Sequence, residues 1–178
     1  MKVVREVTKA SPSLWTVRNG NSILSYHAKV KDATKWLASH RPDVPMRDLL
    51  DTGYRVDKAY TAEARFVRKN GEGWDPEWIR PGCRDFGDAM NQLRGWCHVS
   101  WEQERDNHPS TIGRQAAWER WHDVIALIQL ADLTLLKEPQ FNYDFGSMSP
   151  PEGLGNRLKL AVYPTPEAEL KKLVRHHV

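Results

Sequence analysis

The sequence predicts an α+β fold, mainly α, in which a small N-terminal β-hairpin or sheet packs against a helical domain built on a long central antiparallel αα-hairpin. Three observations carry that expectation. Residues 14–27 hold two short apolar runs separated by Asn19 and Gly20, the pattern of a tight hairpin. Residues 85–137 hold two stretches with apolar residues at three- and four-residue spacing, parted by Asn107, His108, Pro109 and Ser110. Six of the eight tryptophans lie between Trp74 and Trp121. Each indole removes roughly 150–250 Å² from water on burial, so the cluster marks a dense core or a binding surface.

A chain of 178 residues suits one domain with one well-buried core. Its expected parts are a β-hairpin with short helices (1–53), a helical core (54–138), and an irregular tract, a strand and a C-terminal helix (139–178). Residues 3–9 alternate in part, and residues 14–17 and 23–27 are the hairpin arms. Asp32 is placed to cap a helix over 33–39, and 44–50 gives a further short helix stopped by Gly53. Residues 54–69 fit both periods. Tyr54, Val56, Tyr60, Ala62, Ala64 and Phe66 alternate as in a strand, but Thr61 as a cap before Ala62, Glu63, Ala64 and Arg65 favours helix in the second half. Proline and glycine make 71–83 a loop or single turn.

The first long helix, 85–106, carries Phe86, Ala89, Met90, Leu93, Trp96, Cys97 and Trp101 on one face, with Gly87 and Gly95 opposite. The second, 111–137, carries Ala117, Trp121, Val124, Ile125, Ile128 and Leu135 in a stripe flanked by Trp118 and Leu136. Leu127, Leu130 and Leu133 fill its other sides, so its C-terminal half is expected to be buried all round. The tract 141–156 reads as irregular and 158–163 as a strand. Thr165 and Pro166 start a final helix, as N-cap and first helical residue.

No run approaches the roughly 20 apolar residues of a membrane helix, and the first residues hold no apolar segment of signal-peptide length. The expectation is therefore an intracellular, cytoplasmic protein with no membrane partner. Cys83 and Cys97 sit in no CxxC or Cys/His array, which argues against a disulfide framework or zinc site. The pairs His98/Glu102 and Glu119/His122 have the helical spacing of metal-binding pairs, but the helical wheel turns both to solvent. Neither a metal site nor a cofactor is expected, and no phosphate-binding glycine motif occurs. Asp132 lies near the apolar stripe and is read as an ion-pair partner before a catalytic acid.

Binding surfaces remain. The net charge of +3 is unevenly spread: residues 1–35 hold seven Lys/Arg against two acids, whereas 72–138 hold twelve acids against seven bases. The leading expectation is a non-enzymatic binding protein, an adaptor or inhibitor, docking on a larger protein or nucleoprotein assembly. Aromatic anchors Trp74, Trp78, Phe141, Tyr143 and Phe145 would make the contact. The first alternative is nucleic-acid binding through Lys2, Arg5, Lys9, Arg18, Lys29, Lys31, Lys35, Lys171, Lys172 and Arg175. The second alternative is an enzyme with a site around His98, His122 or Asp132.

Overall fold

The computed structural model describes residues 14–67, 74–107, 110–134, 140–147 and 157–175. It is an α+β fold with two antiparallel sheets. The first sheet has the order β2-β1-β3, from β1 (Trp15–Asn19), β2 (Ser22–His27) and β3 (Tyr54–Lys58). Its hairpin turns through Gly20 and Asn21, one residue later than expected, with Gly20 in the left-handed region at φ 58°. The expected strand at 3–9 lies outside the described residues; β3 fills the third place.

Helices α1 (Val30–His40) and α2 (Met46–Asp51) cover this sheet and close a core of Val17, Leu24, Ala33, Leu37, Leu49 and Tyr54. Asp32 is not the cap. The helix starts three residues before the expected span, after Lys29, and leaves Asp32 in its first turn, where a carboxylate still favours the N-terminal dipole.

The second sheet overturns three expectations. Its order is β5-β4-β7-β6, from β4 (Tyr60–Val67), β5 (Trp74–Cys83), β6 (Phe141–Ser147) and β7 (Arg157–Pro164). Residues 60–67 are strand, not helix, because β4 is paired along both edges and buries Tyr60, Ala62 and Ala64 on the core side. Tertiary pairing outweighs the helix propensity of its Ala, Glu and Arg. The supposed loop at 74–83 is an edge strand, where Pro76 and Pro81 are tolerated and where the ladder shifts register twice. The supposed irregular tract begins with the opposite edge strand, β6. The helical core is thus half sheet.

Helices α3 (Phe86–Asn107) and α4 (Thr111–Thr134) lie on that sheet. Gly87 neighbours Asp132, and Glu104 bonds both Arg120 and Trp121, so the pair runs antiparallel as expected. The expected extension of α4 to residue 137 lies outside the described residues. Phe86, Ala89, Met90, Leu93 and Cys97 from α3 meet Trp121, Val124, Leu127, Ile128 and Ala131 from α4 over Leu158, Leu160 and Val162 of β7. Trp96 and Trp101 pack at the margin.

The chain passes from the first sheet to the second through Ala59 alone, between β3 and β4. Helix α5 (Glu167–Leu173) closes the seam: Leu170 packs with Leu14, Ile23 and Ala59, and Val174 bridges to Ile23. Thr165 does not cap this helix. Its hydroxyl bonds Thr61 at 3.0 Å and accepts from the Gly82 amide at 3.3 Å, spending the group on the second sheet while Pro166 takes the cap position.

Candidate interaction surface

Helix α4 divides its apolar residues between two opposite faces. At 100° per residue, the buried set Ala117, Trp121, Val124, Ile125, Leu127, Ile128 and Ala131 spans one arc of the wheel. Ile112, Trp118, His122, Ala126, Leu130 and Leu133 span a separate arc of about 120°. That second face is exposed: Ile112 by 85%, Trp118 by 42%, Leu130 by 56% and Leu133 by 76%. The expectation of burial all round is therefore wrong for Leu130 and Leu133. The helix is apolar on two sides because one side meets α3 and the sheet, and the other meets solvent.

Trp118 and His122, one turn apart, stack with ring centroids 4.5 Å apart and planes 14° from parallel. The stack restricts the indole against its neighbour and leaves a flat aromatic surface on the outer face between Ile112 and Leu130. Exposed Gln115, Glu119 and Gln129 fall within the same arc, with Glu119 near the edge that Asp123 borders.

The expected aromatic anchors fall elsewhere. Phe141 is 1% exposed and belongs to the core, as its position on the inner face of β6 requires. Trp78 is half-buried and stacks on Trp96 with centroids 6.4 Å apart, and Tyr143 packs at the core margin. The side chains of Trp74 and Phe145, on strands rather than in loops, lie outside the described residues. A loop reading put these aromatics on the surface, but edge strands turn alternate side chains inward.

Of the basic candidates, Lys2, Arg5 and Lys9 lie outside the described residues. Lys29, Lys31, Lys35, Lys171, Lys172 and Arg175 are exposed. Arg18 is not: it is 1% exposed, wedged between the first sheet and the start of α3, with Nη2 donating to the Cys83 carbonyl at 3.5 Å. Its Nε and Nη1 meet no acceptor among the described residues. Burial pushes its pKa down, opposed by the nearby Asp57 and Asp88 carboxylates. In turn burial pushes the Asp57 carboxyl up, and Arg18 pulls it back.

The remaining chemical candidates are dispersed. His98 and Glu102 are exposed on α3, His122 is engaged with Trp118, and no three His, Cys, Asp or Glu side chains converge among the described residues. Asp132 is exposed, with its carboxyl shifted up by partial burial against the effect of Arg94. Both thiols are buried, and burial pushes Cys83 to about 11 and Cys97 to about 12. A thiol held protonated is a poor nucleophile.

Among the described residues, two clefts bear on ligand binding. One of about 380 Å³ lies between Arg80, Gly82, Arg84 and Leu173, with Asp88 pairing Arg84 inside it at 3.7 Å. The other, of about 510 Å³, lies between the end of α1, the β-hairpin and Arg175. Sequence reasoning missed the second because its residues are 156 positions apart at the extremes, from Asn19 to Arg175. No helix among the described residues is long and apolar enough to cross a membrane. No family model, no curated protein and no solved structure matches this chain.

Proposed function

We propose that this protein is a binding module, an adaptor or inhibitor, that docks on a protein or nucleoprotein partner through the outer face of α4. The supporting observation is the second apolar stripe: Ile112, Trp118, Leu130 and Leu133 on one side of a single helix, away from the core. Contiguous apolar surface carries a cost in water that a partner removes, and a Trp plate among aliphatic side chains is the composition of an interface centre. Glu119 and Asp123 at the border favour a partner whose apolar patch has a basic rim.

The test is affinity purification with mass spectrometry, wild type beside Leu130→Glu/Leu133→Glu and Trp118→Ala. Partners retained by wild type and lost from both variants support the docking face. An unchanged set of partners eliminates it, and loss instead with Trp78→Ala moves the contact to the β5 edge.

A second reading, polyanion binding, is favoured by one observation. The Arg175 amide donates to the Ile23 carbonyl at 2.8 Å, which draws the basic C-terminal segment beside the N-terminal sheet whose helix carries Lys29, Lys31 and Lys35. It predicts retention on heparin that weakens steeply with salt; a flat salt response removes it.

A further inference from the structure

We infer that the cleft between α1, the β-hairpin and Arg175 is a phosphate-binding pocket for a nucleotide unit. The inference sharpens the polyanion reading to one place and is independent of α4. The cleft measures about 510 Å³, within the roughly 300–1,000 Å³ of small-ligand sites. Three of its lining side chains, His40, Arg41 and Arg175, are basic types, and no carboxylate lines it among the described residues. The smaller cleft at Arg80 and Arg84 contrasts with it, because there Asp88 already supplies the counter-charge.

The groups are positioned by packing. The His40 ring stacks on Trp36 with centroids 4.8 Å apart and 14° between planes, and lies tilted by 56° to the Tyr54 ring with centroids 6.3 Å apart. Arg41 is the C-cap of α1, so the end of that helix sets where its side chain starts. Arg175 is anchored through its own amide to β2. Neither Arg41 nor Arg175 enters an ion pair with a described residue. Arg41 and Arg175 both line this cleft, and guanidinium groups are suited to a phosphate, whose oxygens accept paired N–H donors. Asn19 and Ser22 add uncharged hydrogen-bonding groups, and the buried Leu24 and Tyr54 give an apolar floor. A bare ion leaves that floor uncovered, whereas the sugar and base of a nucleotide cover it.

The phosphate can come from a free mononucleotide or from a single strand, and the experiment separates these. Titrations monitored by calorimetry use AMP, a dT10 oligonucleotide and inorganic phosphate, with wild type, Arg41→Ala, Arg175→Ala and Lys171→Ala. Both arginines are exposed, and equal urea midpoints verify that their variants fold. The expected result is binding of AMP or dT10 that weakens at least tenfold in each arginine variant and is little changed in Lys171→Ala. AMP binding without dT10 binding keeps the pocket and discards the polyanion reading. Binding of dT10 that is insensitive to Arg41 and Arg175, or weakened as much by Lys171→Ala, overturns the pocket and leaves diffuse polyanion attraction. No binding by any of the three probes at millimolar concentration overturns both.

Discussion

Arg18 is the residue whose position departs most from its chemistry. A guanidinium at 1% exposure with two nitrogens lacking acceptors among the described residues is stabilised mainly by the fields of Asp57 and Asp88. Removing the cation alone leaves the half-buried Asp57 with only the weaker fields of Arg55 and Arg84, which costs about 1 kcal/mol. Arg18→Met is expected to lose that much in urea unfolding, and Arg18→Met/Asp57→Asn to recover a large part of it. Strict additivity of the two changes contradicts the pairing. Cys97 gives a pH signature. Its folded pKa of about 12 lies above the ordinary value of roughly 8.5, so the fold keeps a proton that the unfolded chain releases. The associated stability is complete below that ordinary value and is lost as pH rises through the folded one. Thermal midpoints should fall more between pH 8 and 10 in wild type than in Cys97→Ala; parallel slopes refute the assignment.

At the scale of elements, α4 has two faces that mutation should separate. Ile128→Ala, at 1% exposure, is expected to cost about 2–5 kcal/mol. Leu130→Glu and Leu133→Glu should each stay within about 0.5 kcal/mol of wild type by chemical denaturation. A large loss from either leucine variant would mean that the outer face is already covered. Where α3 crosses α4, Glu104 accepts from Arg120 at 2.6 Å and from the buried Trp121 indole N–H. Glu104→Ala leaves that indole unpaired and should cost about 1.5–3 kcal/mol, read from the urea midpoint.

The same elements show what the sequence discloses. The α3–α4 pair is legible because its apolar period is local and repeats over five or more turns. The N-terminal hairpin is legible because its turn chemistry is local too. Strands β5 and β6 are not, since prolines and glycines in and beside them read as loop although their partners β4 and β7 are neighbours in sequence; the sheet that gives those strands a place depends on the distant pairing of β4 residues 60–67 with β7 residues 157–164. Periodicity likewise locates Leu130 and Leu133 on α4 but cannot say whether a second apolar stripe meets protein or water. The exposed lysines near both termini were readable as charge, whereas the burial of Arg18 and the sharing of one cleft by Arg41 and Arg175 depend on tertiary structure.

At the scale of the molecule, two cores are coupled by a seam of Leu14, Ile23, Ala59 and Leu170. Gly82 lies against that seam at φ 73°, and a Cβ there would come within 2.8 Å of Leu173 Cδ1. Gly82→Ala combines left-handed strain of about 1–2 kcal/mol with a forced shift of the Leu173 side chain that docks α5 on the seam. Limited proteolysis should show faster cleavage around α5 in that variant, and unchanged protection would deny α5 its clamping role. The two edges of the larger sheet also differ. Along β5, Pro76 and Pro81 remove amide donors and the register shifts break the ladder, so an incoming strand finds an interrupted template. Strand β6 contains no proline, and every residue from Phe141 to Ser147 retains its N–H. Of the two borders among the described residues, the one at β5 is therefore blunted against the addition of another extended chain.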